Sequence, residues 1–282
     1  MADFGVDFPY FVGLADEHRR WLQSFDTRYM ANWERLLVSD PEAALWEAEV
    51  RRWLHHSGCD VVPNEALDGR CGGPDFRCTR NGERFYVEAT CIQIATAEKR
   101  LGVPDGHDEF AGFDVYGMPQ AIFQECRSKA PQCADLDAPC LLAIGTFHSK
   151  AAALGFRKVS LAQVLTGKVS MSWTVDVATG MSNDGTQNVS SLQSAAFVRP
   201  ADPEAMEFAR SSISGIVFPV VGRSSGHARG LLNPGTVRPF NVEILPHVGF
   251  GQLVTDMATS QMTVHWPPEE PPPVFPKSSQ LP

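Results

Sequence analysis

Apolar residues recur at helical spacing in the segment from Pro41 to about Ser57. Their positions, i, i+4, i+7, i+8 and i+11, fall on one face of an α-helix. The residues on this face are Trp46, Val50, Trp53, Leu54 and Ser57. Asp40 before Pro41 is typical of a helix start, and Gly58 is typical of a helix end. The pattern therefore predicts an amphipathic helix whose apolar face covers a core.

Shorter apolar runs after this helix predict β-strands. Residues 59–63 form the first run, and two more flank Asn81-Gly82, a pair that strongly indicates a β-hairpin. A second helix is predicted from Pro119 to about Ala130. The continuous apolar run 139–146 then predicts a buried strand that is covered on both faces. This order predicts an α/β fold with a central mixed sheet flanked by helices.

The remaining segments divide the chain into three parts. Residues 1–40 are predicted to be a helical N-terminal extension, 41–255 an α/β domain, and 256–282 a proline-rich tail without regular structure. Within the domain, 91–95 continue the second hairpin strand and 151–166 form a helix. Strands are predicted at 169–175 and 213–221, a polar loop at 180–191, and a helix beginning at Asp202-Pro203.

Two carboxylates occupy matching positions in the predicted hairpin. Asp75 stands at the start of its first strand, and Glu88 stands near the end of its second strand. Antiparallel pairing brings two such positions close together. Because adjacent carboxylates repel, a cation is expected to neutralise them. Mg²⁺ suits such a pair, since it takes one or two carboxylates and keeps waters or phosphate oxygens as its other ligands.

The hairpin resembles the PD-(D/E)XK superfamily of restriction-endonuclease-like phosphodiesterases. Pro74-Asp75, the hairpin and Glu88-Ala89 match the family's pattern, and Thr90 stands where that family has a lysine. The resemblance covers about residues 42–148 and implies a restriction-endonuclease-like core with the element order αβββαβ. It further implies a bacterial, metal-dependent endonuclease or exonuclease, a hydrolase whose substrate is DNA or RNA.

The resemblance also implies a role for individual residues. Asp75, Glu88 and the carbonyl oxygen of Ala89 would bind Mg²⁺ or Mn²⁺. Glu47, or alternatively Glu49, would add an acidic group from the preceding helix. In relatives that lack the lysine, one from a neighbouring element takes its place; here Lys129 is the first candidate and Lys99 the second. Thr90 would only hydrogen-bond the attacking water, because a hydroxyl group is a poor base.

Composition indicates which nucleic-acid surface and which cellular compartment are compatible with this chemistry. The chain has 282 residues, 43% of them hydrophobic, and a net charge of -9, which argues against a broad nucleic-acid-coating surface but permits a local basic cleft. Arginines near the hairpin are candidates for phosphate contacts: Arg70, Arg77, Arg80 and Arg84. Seven cysteines, no membrane-length apolar run and an acidic N-terminus predict a cytoplasmic protein with reduced thiols. A zinc site at Cys71 and Cys78 is the alternative use of the cysteines.

The sequence leaves four questions open. The fold could persist without activity, as a binding or regulatory module, because Thr90 replaces the lysine. Alternatively, Asp75 and Glu88 could be hairpin charges that never meet, which the acidic net charge favours. The proline-rich tail could bind a protein partner, and the sequence leaves the oligomeric state undetermined.

Overall fold

The computed structural model describes residues 8–64, 73–102, 114, 116–175, 179, 182–201, 206–221, 228–256 and 261–268. Its helices are α1 (Phe8–Leu22), α2 (Thr27–Ser39), α3 (Pro41–His56), α4 (Ile94–Leu101), α5 (Gly117–Lys129), α6 (Ser149–Gly155) and α7 (Lys158–Thr166). Its first strands are β1 (Asp60–Pro63), β2 (Phe76–Arg80), β3 (Glu83–Cys91), β4 (Cys140–Gly145), β5 (Lys168–Val175) and β6 (Ser182–Ser191). The later strands are β7 (Val198–Pro200), β8 (Met206–Phe208), β9 (Gly215–Phe218), β10 (Arg229–Leu232), β11 (Gly249–Asp256) and β12 (Gln261–His265).

Eight strands form one mixed sheet in the order β1-β2-β3-β4-β9-β10-β11-β12. The strands β1, β2 and β3 are antiparallel neighbours, whereas β4 lies parallel to both β3 and β9. The chain passes from β3 to β4 through α4 and α5, as a parallel connection requires. The predicted α/β class, with a mixed sheet flanked by helices, is therefore confirmed.

The sheet separates two hydrophobic cores because the side chains of β3 alternate between its faces. Phe85 and Val87 belong to the core that contains α1, α2 and α3. Tyr86 and Ile92 belong to the core that contains α4 to α7. Strand β4 is buried along its whole length, so its continuous apolar sequence fits its position. The charged residues Glu88 and Lys129 therefore meet on the α4–α7 side of the sheet.

Helix α3 and the β2–β3 hairpin both begin or turn at residues that favour these structures locally. The side chain of Asp40 accepts a hydrogen bond from Ala43 N, and Pro41 occupies the first turn of α3. Asn81 and Gly82 both have positive φ, 54° and 79°, as a two-residue hairpin turn of type I′ requires. Helix α3 and the β2–β3 hairpin thus form where local sequence predicts them.

The C-terminal half of the chain differs from its sequence prediction in several places. Strand β5 is found where a strand was expected, but the predicted polar loop at 180–191 is wrong, since Ser182–Ser191 forms β6 and pairs with β5. The predicted helix start at 202–205 lies outside the described residues, and Met206–Phe208 forms a strand. Strand β12 lies within the stretch predicted as tail, with Met262, Val264 and Trp266 half-buried while Thr263 and His265 are exposed. Residues 269–282 of that tail lie outside the described part of the chain.

None of the helices in the described ranges is long and apolar enough to cross a membrane.

Candidate functional site

The hairpin register brings Asp75 and Glu88 together. Phe76 pairs with Val87, so Asp75 and Glu88 occupy the next position along the two strands. The backbone N–H of Ala89 donates a hydrogen bond of 2.7 Å to Asp75 Oδ2. Asp75 is half-buried, and Glu88 is only 1% exposed. Two carboxylates therefore lie side by side at the end of β3, one of them shielded from water.

Helix α5 adds a lysine to this acidic pair. Lys129 lies in the last turn of α5, and its Nζ donates a hydrogen bond of 2.7 Å to Glu88 Oε1. The Lys129 side chain is 26% exposed, so it connects the buried carboxylate to the surface. Lysine and glutamate are 41 residues apart in sequence. Their contact depends on α5 packing across β3.

Glu125 also belongs to this cluster, although sequence analysis missed it. It precedes Lys129 by one helical turn on α5, so both side chains project from the same face. Thr90 is buried on β3, and its hydroxyl lowers the pKa of Glu125 against the raising effect of burial. The i, i+4 spacing with Lys129 was the signal that could have found it.

Electrostatics make this pair bind a proton near neutral pH. Burial, reinforced by the negative charge of Asp75, raises the pKa of Glu88 from 4.5 to about 8 even though Lys129 opposes the shift. Burial also raises the pKa of Asp75, to about 6, against the lowering effects of Ala89 N–H and Lys129. Burial lowers the pKa of Lys129, but its acidic neighbours outweigh this, so the net change is a rise. Lys129 is therefore charged at neutral pH.

One oxygen of Glu88 lacks a partner. Oε2 is buried and accepts no hydrogen bond from a described donor, although the Glu88 carboxyl lies within hydrogen-bonding reach of the Asp75 carboxyl when one of them holds a proton. A buried acceptor without a partner costs about 1–3 kcal/mol, so an additional ligand at this atom would be stabilising. Two carboxylates with a free acceptor fit a hard divalent cation, which needs only one or two protein carboxylates. However, the described residues contain no group of three or more His, Cys, Asp or Glu side chains placed to hold a metal ion.

The structure does not bring Glu47 and Glu49 to this pair. Glu47 lies 3.5 Å from His18 Nε2 of α1, and burial lowers the pKa of His18 well below its ordinary value. Glu49 accepts a hydrogen bond of 2.6 Å from the Tyr10 hydroxyl and pairs with Arg52 at 2.8 Å. Both glutamates thus face α1 through these contacts, on the opposite side of the sheet from Glu88.

The remaining residues that the sequence offered for phosphate contacts, catalysis or zinc do not join this pair in the described part of the chain. Arg80 Nη1 donates a hydrogen bond of 2.7 Å to the Ile244 carbonyl, and Arg84 pairs with Asp137. Arg77 and Lys99 are exposed, on β2 and α4 respectively. Arg70 and Cys71 lie outside the described residues, while Cys78 is buried in β2. The site thus consists of Asp75, Glu88, Thr90, Glu125 and Lys129.

Comparison of the chain with protein-family models, curated proteins and solved structures finds no match.

The raised pKa of Glu88 has a consequence for stability. In the absence of metal, the folded state holds this proton more tightly than the unfolded state, so its stabilising effect is present below about pH 4.5 and is lost as the pH rises to about 8. We expect Glu88→Gln to remove most of this pH dependence of stability. At about pH 8 its free energy of unfolding should exceed that of the parent by on the order of 2 kcal/mol. Urea denaturation in EDTA at about pH 5 and about pH 8 measures both quantities.

Glu83→Gln is the matched control for this prediction. Glu83 is an exposed carboxylate at the other end of β3, and its Oε1 accepts from Asn241 Nδ2, a bond that glutamine preserves. This variant should follow the parent protein at both pH values. If Glu88→Gln follows the parent as well, Glu88 does not bind the proton inferred here.

Proposed function

We propose that this chain is a metal-dependent phosphodiesterase with a restriction-endonuclease-like core, which hydrolyses DNA or RNA at Asp75, Glu88 and Lys129. The observation that carries the proposal is the bond between Lys129 Nζ and Glu88 Oε1 beside Asp75. A lysine from α5 lies where it can act in place of the family lysine that Thr90 replaces. The element order α3, β1, β2, β3, α4, α5, β4 supports the proposal, because it is the order implied by the resemblance with one additional helix, α4.

Asp75 and Glu88 are the groups that would bind Mg²⁺ or Mn²⁺, together with the Ala89 carbonyl. When bound, such an ion supplies a water of lowered pKa and neutralises charge on the phosphodiester. The unpartnered Oε2 of Glu88 supports this assignment because it is an acceptor with unused capacity. The paired Oε1 supports it less, since Lys129 already neutralises that oxygen.

Lys129 contributes positive charge rather than a base. Its acidic neighbours raise its pKa, so its ammonium group keeps its proton at neutral pH. A charged ammonium group donates hydrogen bonds to a phosphoryl oxygen or to the attacking water and orients them. The Thr90 hydroxyl lowers the pKa of Glu125, and Glu125 in turn helps to raise the pKa of Lys129. Thr90 and Glu125 therefore act as positioning residues.

A binding or regulatory module without activity is the second candidate. It is favoured by the acidic cluster itself, which offers Asp75 and Glu88 but not Glu47 or Glu49 to a metal ion. A site with few protein ligands holds Mg²⁺ weakly unless substrate phosphates complete its coordination. Activity in the presence of substrate therefore distinguishes the two candidates.

Replacing Lys129 by methionine tests the proposal. We expect the parent protein to cleave DNA or RNA with Mn²⁺ at about pH 8, and Lys129→Met to cleave it about 100-fold more slowly, because the oriented positive charge is lost. Plasmid DNA, single-stranded DNA and RNA are the substrates, with product measured by gel electrophoresis. Thermal unfolding verifies that the variant is folded.

Lys99→Met is the matched control, since Lys99 is an exposed lysine on the neighbouring helix α4 and the second candidate from sequence. It should cleave at the parent's rate. Equal rates for Lys129→Met and the parent, or an equal loss in Lys99→Met, would contradict the role given to Lys129. Absence of cleavage on every substrate would favour the binding module.

A further inference from the structure

A basic pocket of about 370 Å³ lies on another side of α5. The residues that give it its chemistry are three arginines and two phenylalanines: Phe123, Arg127, Arg199, Phe208 and Arg210. Arg127 precedes Lys129 by two residues on α5, so the two side chains leave the helix about 200° apart. The pocket is therefore separate from the acidic pair of the proposed function.

The backbone holds Arg210 in an unusual conformation at this pocket. Its φ is 54°, in the left-handed region that a non-glycine residue adopts at a cost of roughly 1 kcal/mol. The buried Asn233 stabilises this turn, because its Nδ2 donates to the carbonyl oxygens of Arg210, at 3.0 Å, and Ile213, at 2.8 Å. The Arg210 guanidinium group donates to the Ala196 carbonyl and lies 4.7 Å from the centre of the Phe123 ring.

Among the described residues, positive charge at the pocket exceeds negative charge. Arg199 pairs with Glu207 at 2.7 Å, at an exposed position. Within the part of the chain that the structure describes, Arg127 and Arg210 pair with no carboxylate. Burial lowers the pKa of Arg210, and the positive charges of Arg127 and Arg199 lower it further. Since like charges held together are costly, an anion bound among them would be stabilising.

An exposed aromatic ring borders these charges. Phe208 is 53% exposed. Its Cβ packs closely against Gly235, since a Cβ added to that glycine would lie only 2.1 Å from it. Gly235 belongs to the turn that Asn233 closes, since its N–H donates to Asn233 Oδ1 at 2.9 Å. A large apolar ring left open to water beside guanidinium groups has the composition of a stacking surface for a planar base.

We propose that this pocket binds a nucleotide, with its phosphate among Arg127, Arg199 and Arg210 and its base on Phe208. Guanidinium groups are the preferred partners of phosphate, since their donors match its oxygens. An aromatic face accepts any base without regard to sequence. The ligand is either a free nucleotide or one nucleotide of a single strand. This proposal does not depend on hydrolysis at Glu88.

Fluorescence anisotropy with a labelled oligothymidylate of about ten nucleotides tests the proposal. The titration is made in EDTA, so that hydrolysis plays no part and the two proposals fail separately. We expect Arg127→Gln to weaken binding about tenfold through the loss of a charged hydrogen bond. We expect Phe208→Ala to weaken it about tenfold through the loss of stacking. Arg35→Gln, the same change at an exposed arginine of α2, should weaken binding by less than about twofold.

Competition identifies the source of the nucleotide. Displacement of the oligonucleotide by thymidine monophosphate indicates a free nucleotide as ligand, and resistance to it indicates a strand; both outcomes support the proposal. Displacement by inorganic phosphate as effective as that by the nucleotide, with Phe208→Ala unchanged, would overturn it in favour of a plain anion site. Equal binding by Arg127→Gln and Arg35→Gln, or no binding to the parent, would also overturn it.

Discussion

Glu88→Gln is expected to lower the rate of metal-dependent phosphodiester hydrolysis by about 10³-fold or more. The substitution removes the buried negative charge that would bind the metal ion, whose contribution to catalysis is several kcal/mol. It also places an amide group, with its hydrogen-bond donors, where the two carboxylate oxygens stood. The remaining amide oxygen can still accept from Lys129 Nζ, so the packing of α5 on β3 is preserved.

This loss would not arise from unfolding, because the same variant is expected to be more stable than the parent at about pH 8. Cleavage rates at that pH, measured with Mn²⁺ alongside urea denaturation, give both quantities for one sample. Glu83→Gln serves again as the control and should keep the parent's rate. A Glu88→Gln variant that retains more than about a tenth of the activity would exclude Glu88 as a metal ligand.

Gly145→Ala is expected to destabilise the protein by about 3 kcal/mol or more. Gly145 ends β4 against the Trp46 ring, where an added Cβ would lie 1.9 Å from the indole carbon Cη2. Trp46 is only 1% exposed, and its Nε1 donates a hydrogen bond of 2.9 Å to the Ala143 carbonyl. The ring cannot move away without breaking this bond and displacing α3, so the methyl group overpacks the core.

Gly13→Ala is the matched control, because it makes the same chemical change where nothing lies within 4 Å of the new Cβ. Gly13 is exposed inside α1, where alanine is favoured over glycine by roughly 0.5–1 kcal/mol. The two substitutions should therefore shift the urea midpoint in opposite directions. Equal midpoints for Gly145→Ala and the parent would contradict the packing of α3 on β4.

Local sequence was sufficient to predict α3 and the β2–β3 hairpin. The Asp40 cap, the helical spacing of Trp46, Val50 and Trp53, and the Asn81-Gly82 turn all act within a few residues of one another. The same signals placed Asp75 and Glu88 at facing positions, because register follows from the turn. The proximity of the two carboxylates could thus be predicted before the fold was known.

Helix α4 could not be predicted this way because its start depends on a distant residue. Residues 91–95 were predicted to continue the strand, but β3 ends at Cys91 and α4 begins at Ile94. Gln93 provides no side-chain cap; instead, the Ile94 N–H donates to Glu42 Oε2 of α3 at 2.8 Å. This carboxylate is 52 residues away in sequence, so no local pattern contains it.

The positions of Glu47 and Glu49 show a second limit of prediction from the sequence. They were predicted to add an acidic group to the site from α3, but that helix is buried on several sides, by α1 and α2 as well as by the sheet. Periodicity indicates that a side chain is near a core without indicating which neighbour forms it. The contacts with Tyr10 and His18 arise from the docking of α1, which the pattern within α3 does not encode.

Calorimetric titration with Mn²⁺ at about pH 8 tests the proposed metal site without requiring knowledge of the substrate. We expect the parent protein to bind one or two ions and to release protons from the Asp75–Glu88 pair on binding. We expect Glu88→Gln, although folded, to bind none, and Glu83→Gln to bind as the parent does. Absence of binding to the parent, or equal binding by Glu88→Gln, would contradict a metal site at this hairpin.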